Sequence, residues 1–440
     1  MRLSKIAWGL EHLDGHCYNN LFYKVMDLIQ RKTCRVCGSD SLRTVIDLGE
    51  QYLQGSFVKP GKELPPMEKI PCQIVRCEDG CGLLQMKHSV PPDVLYSAYW
   101  YRSGTNNTMR SHLKGIAEKA MKIWSKPQAT VLDIGCNDGT LLKNYPPEFK
   151  KFGVDPSDVA QEVKGENLQV IQDIFPSPQL DAASGRGSID IITSIAMFYD
   201  LEDPIAFCRS IKEFLSPEGI WIFEMSYMPE MLRLNSYDTI CHEHLEYYSL
   251  AVIEKILTLA ELHIFKIEFN AINGGSLRCY ATHVNNDKYK RAENDAFIDK
   301  VRQQEIDLEL DTDKPYLEFQ LRIDNEKKKL RDMLTGLKAD GKRIHIYGAS
   351  TKGNTILQFC EIDNSIIDYA AERNPDKYGA KTLGTNIPII SEADSRAMSP
   401  DYYLVLPWHF KAEFVEREKE MLDNGTGMIF PLPEIEIVKR

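Results

Sequence analysis

The residues best suited to chemistry fall into three groups. The segment Tyr237-Asp-Thr-Ile-Cys-His-Glu-His-Leu-Glu-Tyr-Tyr-Ser249 places Glu243 between His242 and His244. An imidazole titrates near neutrality, so a histidine here is a candidate to remove a proton, and His-x-His is also a pattern for a metal pair. A second group is Val131-Leu-Asp-Ile-Gly-Cys-Asn-Asp-Gly139, an apolar run that ends in Asp133 and Gly135 and turns through Asn137, Asp138 and Gly139. The third is two cysteine pairs, Cys34 with Cys37 and Cys77 with Cys81, the first and second each followed by glycine.

The cysteines read as a structural zinc site. A tight turn after Cys37 lets two thiolates converge, and four thiolates close a tetrahedral shell with no open position for catalysis. The gap between Cys77 and Cys81 is one residue wider than usual, which leaves Cys72 and His88 as alternative ligands. With four thiolates on the zinc, no further carboxylate–histidine spacing completes a second metal site at His242 and His244. The chain has eleven cysteines, an odd number. In a reducing compartment they do not form a disulfide framework, and Cys208 and Cys360 lie in apolar segments that read as core.

The glycine turn reads as a methyl-donor site. Gly135 permits close approach of a ligand, and Asp155, about 20 residues further on at the end of the next strand, suits two ribose hydroxyls. Asp173 and Ile174, ahead of Phe175, are placed to lie beside an adenine. The turn lacks G-x-G-x-x-G; Asp-x-Gly-x-x-x-Gly is the form usual for S-adenosylmethionine. The predicted cofactor-binding residues are Asp133, Gly135, Asn137, Asp138, Gly139, Asp155, Asp173 and Ile174.

These groups need a scaffold. The length of 440 residues predicts two or three domains, and 43% hydrophobic residues suit a globular chain. Residues 1–32 form an extension with a weak helical pattern, and 33–90 form the zinc module, rich in turns and short strands. Residues 91–284 are the donor-binding domain, opening on a helical stretch over 91–127. Strands over 129–134, 153–155, 189–193 and 220–224 alternate with helices, which predicts a Rossmann-like parallel sheet in an α/β fold. Residues 285–340 are charged and helical in period, a connector. A second strand–turn–helix unit opens a C-terminal α/β domain at 341–440, with strands over 343–347, 366–370, 402–406 and 427–430. Its turn, Gly348-Ala-Ser-Thr-Lys-Gly-Asn-Thr355, offers backbone N–H groups and Lys352 to an anion without being a Walker loop.

Composition removes other classes. A formal net charge of −11 disfavours nucleic acid as a partner, although a local cation and a helix N-terminus still hold a diphosphate. No apolar run reaches the roughly 18 residues of a membrane helix, and Arg2, Lys5, Glu11, His12 and Asp14 interrupt any secretion signal. A cytoplasmic, monomeric enzyme is expected.

Taken in order, the motifs resemble one family. Cys-Arg-Val-Cys-Gly-Ser at 34–39, Asp-Leu-Gly at 47–49, Tyr101-Arg-Ser103, Asn137-Asp-Gly139, Asp238-Thr-Ile-x-His-Glu-His-Leu245, Gly274-Gly-Ser-Leu-Arg278, Tyr347-Gly-Ala349 with Lys352-Gly-Asn-Thr355, and Arg373-Asn-Pro375 are similar to the sugar C-methyltransferases. These act on 4-keto nucleotide sugars in deoxysugar and polysaccharide biosynthesis. The resemblance implies S-adenosylmethionine-dependent methylation at C3 of a nucleotide-linked 4-keto-6-deoxy sugar. It implies that His244 is the base that forms an enolate, with Glu243 beside it and Tyr101 as a further catalytic group. It also implies that the C-terminal domain holds the nucleotide diphosphate. His242, Arg278, Lys352 and Asn354 are the predicted substrate-binding residues. Two departures bear on substrate shape: Cys241 replaces a usual tyrosine, and Ser194-Ile-Ala-Met-Phe-Tyr-Asp200 replaces an Asn-rich stretch. The competing readings are O- or N-methylation of a related nucleotide sugar, a non-catalytic ligand-binding assembly protein, and an NAD-dependent oxidoreductase using the C-terminal unit.

Overall fold

The structure, a computed structural model, describes residues 28–62, 64–96 and 102–440. Tyr101 and nearly all of the 1–32 extension lie outside the described residues. A first antiparallel sheet is built from β1 (Leu42–Gln51), β2 (Ile70–Cys77) and β3 (Leu84–Met86). Its cysteine loops are too small to bury a large core, so it leans on the middle of the chain. Val36 and Leu83 share a hydrophobic cluster with Phe198 and Tyr248, and Ile74 and Met86 pack with Leu245 and Tyr247.

The middle sheet has seven strands. They are β4 (Thr130–Ile134), β5 (Lys150–Val154), β6 (Leu168–Ile171), β7 (Ile189–Ile195), β8 (Leu215–Ser226), β10 (Leu262–Asn270) and β11 (Ser276–His283), in the order β10-β11-β8-β7-β4-β5-β6. β9 (Glu246–Tyr247) leaves this sheet and pairs antiparallel with β3, extending the first sheet to four strands. Strands β4 to β8 run parallel; β10 and β11 are antiparallel to their neighbours. Side chains alternate across the sheet, and both faces are covered. Val131, Ile191, Ile220 and Ile222 face helix α1 (Asn107–Trp124) through Ile116, Ala117 and Ala120. Leu132, Ile192, Trp221 and Phe223 face the opposite cluster with Phe207, Ile211 and Ile253. This two-sided burial explains why the strands read as unbroken apolar runs.

Some predicted boundaries move. The helical stretch over 91–127 divides: a short helix spans Pro92–Tyr96, and α1 begins at 107 because the Asn106 side chain accepts the Thr108 and Met109 amides as its cap. β10 and β11 were not predicted as strands. Gly274 and Gly275 form the bend between them.

Two helices, α2 (Ala292–Asp307) and α3 (Lys314–Ala339), lead to the third sheet. Its strands are β12 (Ile344–Tyr347), β13 (Tyr369–Glu372), β14 (Ile389–Ser391), β15 (Tyr402–Val405), β16 (Gly427–Phe430) and β17 (Glu436–Val438), ordered β14-β13-β12-β15-β16-β17. All pairs are parallel except β16 with β17. β13 starts three residues later than predicted, since Ile366 and Ile367 are buried in the preceding turn, where both amides donate to the Asp363 carbonyl. Helix α4 (Thr351–Phe359) follows β12, capped by Ser350 Oγ on the Gly353 amide. Among the described residues no helix is long and apolar enough to cross a membrane.

Candidate active site and metal centre

The Sγ atoms of Cys34, Cys37, Cys77 and Cys81 all lie within 4.8 Å of one another. The closest pairs are Cys37–Cys77 at 3.4 Å and Cys34–Cys81 at 3.5 Å. A tetrahedral zinc with bonds of about 2.3 Å places its sulfurs about 3.8 Å apart, so the cluster fits the ion. The Cys81 thiol beside Cys34 lowers the Cys34 pKa while its own and that of Cys77 are raised, the pattern of thiols crowded together where a dication would favour all four thiolates. Cys72 stands apart, with its thiol on the Ile240 carbonyl at 3.9 Å, and neither it nor His88 joins the tetrad.

The donor-site candidates gather at the carboxyl ends of β4, β5 and β6, where ligands of doubly wound sheets bind. Gly135 has φ +70°, and a Cβ there would meet Met197 Cγ at 3.3 Å, so the turn requires glycine. Asp133 sits opposite Thr193 in the β4–β7 register and accepts its hydroxyl at 2.6 Å; burial pushes its carboxyl up to about 7. Asp155 accepts the Asn137 amide at 2.8 Å and the Ser157 amide at 2.9 Å, pinning the turn to the next strand end. Asp173 accepts from Ile174 N and Ser177 Oγ, and Ile174 is 60% exposed at the rim, an apolar face open to a ring. The side chains of Asn137 and Asp138 point elsewhere. Asn137 Oδ1 accepts the Ser103 amide at 3.0 Å and Asp138 Oδ2 the Gly104 amide at 2.7 Å, tying the segment before α1 to the turn. Gly139 has φ +71° and abuts Val163.

His244 lies one short bridge from that turn. Met197 covers Gly135, and two residues later the Tyr199 ring stands 4.3 Å from the His244 ring, while Tyr199 O accepts the Leu245 amide at 2.8 Å. The imidazole is oriented by its own loop: Nδ1–H donates to Thr239 O at 2.7 Å, which leaves Nε2 as the acceptor. No hydrogen bond reaches Nε2 among the described residues. Burial first, and the Lys352 charge second, lower its pKa to about 3, so the ring is neutral at physiological pH. Glu243 packs against Gly55, where an added Cβ would fall 1.8 Å from Oε1, and burial raises its carboxyl to about 7.

Residues from all three sheets hold this loop. Gln54 Oε1 meets the His242 amide at 3.1 Å and its Nδ1 at 2.8 Å. Asn354 Nδ2 donates to Gln54 O at 2.7 Å, and Thr355 Oγ1 to Ile240 O at 3.2 Å. His242 and Asn354, expected to contact substrate, are each 1% exposed and face protein instead. His242 Nδ1 and Asn354 Nδ2 both bond Gln54, while His242 Nε2 and Asn354 Oδ1 are buried without a partner. Arg278 also differs from expectation. It is buried in an ion pair with Glu224 at 2.8 Å, with Glu268 at 3.4 Å and His112 Nε2 at 3.3 Å alongside, and neither reaches solvent nor lines an open site. Lys352 does sit at the site, with Nζ 3.3 Å from Thr239 Oγ1 and 3.0 Å from Asn273 O. Sequence reasoning missed Gln54, Gly55, Tyr199, Thr239 and His409; of these, Tyr199 and Thr239 lay in segments already singled out.

Three families match this chain in order. A zinc binding domain family covers residues 34–96, a methyltransferase domain family 107–266, and a family described as C-methyltransferase C-terminal domain 271–433. The chain is an S-adenosylmethionine-dependent C-methyltransferase with an N-terminal zinc-binding domain. Over 409 residues it is 27% identical to the C-methyltransferase NovU of Streptomyces niveus, covering 92% of this chain and 96% of that protein. A ubiquinone biosynthesis O-methyltransferase of Vibrio campbellii is 25% identical over 184 residues, 37% of this chain and 75% of its own length. Among solved structures, an S-adenosylmethionine-dependent methyltransferase from Clostridium acetobutylicum superposes with a TM-score of 0.30 at 15% identity, covering 41% of this chain and 93% of that one.

Proposed function

We propose that this enzyme methylates C3 of a nucleotide-linked 4-keto-6-deoxy sugar, with His244 as the base that forms an enolate. The observation that carries this reading is the His244 ring. It is neutral, fixed through Nδ1 on Thr239 O, open at Nε2, and next to the segment that covers the donor turn.

S-adenosylmethionine supplies an electrophilic methyl carbon on a sulfonium. The chain's own residues do the rest. Asp133, Gly135, Asp155, Asp173 and Ile174 hold the donor at the strand ends. His244 Nε2 takes the proton from the carbon next to the carbonyl, a bond that the carbonyl has weakened. The resulting negative charge beside the new imidazolium forms a pair that offsets the low basicity of the buried ring. Glu243, half ionised near neutrality, orients a sugar hydroxyl, and Tyr101, outside the described residues, is a further catalytic group by the family resemblance alone. Holding carbon and methyl group in line removes most of the entropic barrier. The acceptor is a small molecule; nucleic acid and membrane have no part in this reading.

The test is mass spectrometry of products from a panel of 4-keto nucleotide sugars with isotopically labelled donor, together with exchange of the C3 proton in D2O. Label on carbon and exchange without turnover support the reading. Label on oxygen or nitrogen, with no exchange, overturns it in favour of the O- or N-methyl alternative.

A further inference from the structure

We propose that Lys352 is the partner of the base: its ammonium holds the sugar's 4-keto oxygen and stabilises the enolate, rather than gripping the diphosphate. This rests on the proposed function above and assigns the group that bears the developing charge.

Thr239 ties the two groups together. Its carbonyl takes the His244 Nδ1–H at 2.7 Å, and its hydroxyl lies 3.3 Å from Lys352 Nζ. Base and ammonium therefore share one anchor, close enough for the Lys352 charge to act on the His244 ring. An ammonium has three N–H donors. Two meet Thr239 Oγ1 and Asn273 O, and no third acceptor is present among the described residues.

The charge is also poorly neutralised. The nearest acid, Asp238, gives Oδ2 to Trp408 Nε1 at 2.9 Å, its Oδ1 is buried without a partner, and it makes no ion pair with Lys352 within 4.0 Å. Lys377, the buried lysine of this domain, contrasts with the half-buried Lys352, being paired with Glu372 at 3.5 Å and bonded to Ala349 O at 2.7 Å. A buried cation without a contact anion is destabilising, and such a charge is retained where an anion forms during function. Burial lowers the Lys352 pKa and Asp238 raises it, so Asp238 favours the charged form without quenching it.

Part of what a diphosphate cradle would use at this turn is already engaged by protein. The first turn of α4 has its Gly353 amide on Ser350 Oγ, and Asn354 is bonded to Gln54 O. The nearby His409 is neutral, lowered to about 3 by burial and the Lys352 charge. One lysine remains, which suits one oxygen.

The electron count closes. His244 Nε2 accepts the C3 proton, the C–H pair becomes the C3–C4 double bond, and the carbonyl π pair moves to the oxygen under the ammonium. The C3 pair then attacks the methyl carbon as the carbon–sulfur pair leaves with sulfur, and the oxygen pair restores the carbonyl. Lys352 stays protonated throughout, and His244 passes its proton to solvent.

The experiment uses the full-length zinc-loaded protein and dTDP-4-keto-6-deoxyglucose with its GDP and CDP counterparts. C3 deuterium uptake is followed in D2O with S-adenosylhomocysteine in place of the donor, and dTDP, GDP and CDP affinities are measured separately. Lys352→Met is expected to slow exchange and kcat by about 10²–10³-fold, as for loss of one oxyanion donor. Affinity for the nucleotide diphosphate is expected to stay within about threefold. Lys352→Arg restores part of the exchange. Zinc content and S-adenosylhomocysteine affinity report folding, and Lys352→Gln repeats the test if methionine disturbs packing. Exchange within about threefold of wild type in a folded variant overturns the proposal, as does loss of diphosphate affinity with exchange intact at saturation. Wild-type protein that exchanges none of the sugars overturns the keto-sugar reading itself, and the Lys352 assignment with it.

Discussion

Replacing Glu243 with glutamine should make the protein more stable in alkaline but not in acidic solution. The carboxyl rises from an ordinary 4.5 to about 7, and burial is the cause. A folded-state value above the unfolded one means that the folded chain binds the proton more tightly. The stabilising contribution is therefore complete below 4.5 and is lost as pH climbs through about 7. At 1.36 kcal/mol per pKa unit, the span sets a ceiling of about 3 kcal/mol, and the partial exposure of the side chain reduces this to about 2 kcal/mol. Glutamine has the same shape and no charge, so Glu243→Gln escapes the penalty. Calorimetry of both proteins at pH 5 and pH 8 should show a melting-temperature gap that opens by about 2 °C in favour of the variant at the higher pH. Groups common to both proteins, the zinc ligands included, cancel in the difference. An equal gap at the two pH values, or wild type gaining at pH 8, would refute the claim that this carboxylate is held in a desolvated crevice.

His244→Asn should abolish C3 proton exchange, a loss of at least about 10²-fold, while S-adenosylhomocysteine binds within about threefold of wild type; calorimetric titration beside the exchange assay checks both. Gly55→Ala should force the Glu243 carboxylate aside, since the new methyl would lie 1.8 Å from Oε1, and lower kcat about tenfold or more with zinc content unchanged. Chelating the metal, or Cys34→Ser, should release zinc and destabilise the protein, read as a lower melting temperature together with a reduced metal content by emission spectrometry.

What the sequence made legible was local. Cys34 and Cys37 are three residues apart and share a turn, so spacing alone announced a metal pair; Gly135 and Asp155 stand at strand ends that the apolar runs delimit. The remainder of the site is held by contacts remote in sequence. Asn354 reaches Gln54 across 300 residues, and Trp408 reaches Asp238 across 170. No periodicity records such pairs. A polar residue in such a segment also looks alike whether it meets ligand or protein, which is why His242 and Asn354 read as substrate contacts although each bonds Gln54 here. Arg278 misled for a related reason. A basic residue after two glycines reads as exposed, but β11 is an inner strand, and Glu224 and Glu268 on its two neighbours meet the guanidinium at 2.8 and 3.4 Å. Of the antiparallel pair, β11 escaped notice because it is buried along almost its whole length and lacks the alternation of a half-exposed strand, whereas β10 is a partly exposed edge strand.

The position of the zinc explains how a closed metal site bears on chemistry it does not touch. Arg35, between the two knuckle cysteines, donates to Gln85 Oε1 at 3.1 Å and to Met86 O at 2.9 Å, and it ion-pairs with Glu202 at 3.3 Å. The Met86 amide in turn donates to Leu245 O at 2.8 Å, one residue beyond His244. Gln54 and Gly55, from the same module, hold the His242 amide and shape the Glu243 pocket. A loop on its own would leave an imidazole free to rotate by more than the few tenths of an ångström that proton transfer tolerates. Here β9 makes the loop a strand of the zinc module, and α4 closes it from the other side through Thr355 and Lys352. The donor turn lacks this dependence, being pinned within its own sheet by Asp155. The donor turn and the His244 loop thus have largely separate supports, which meet at Met197 and Tyr199. On the proposed mechanism, the N-terminal and C-terminal domains serve the base, and the central sheet serves the methyl group.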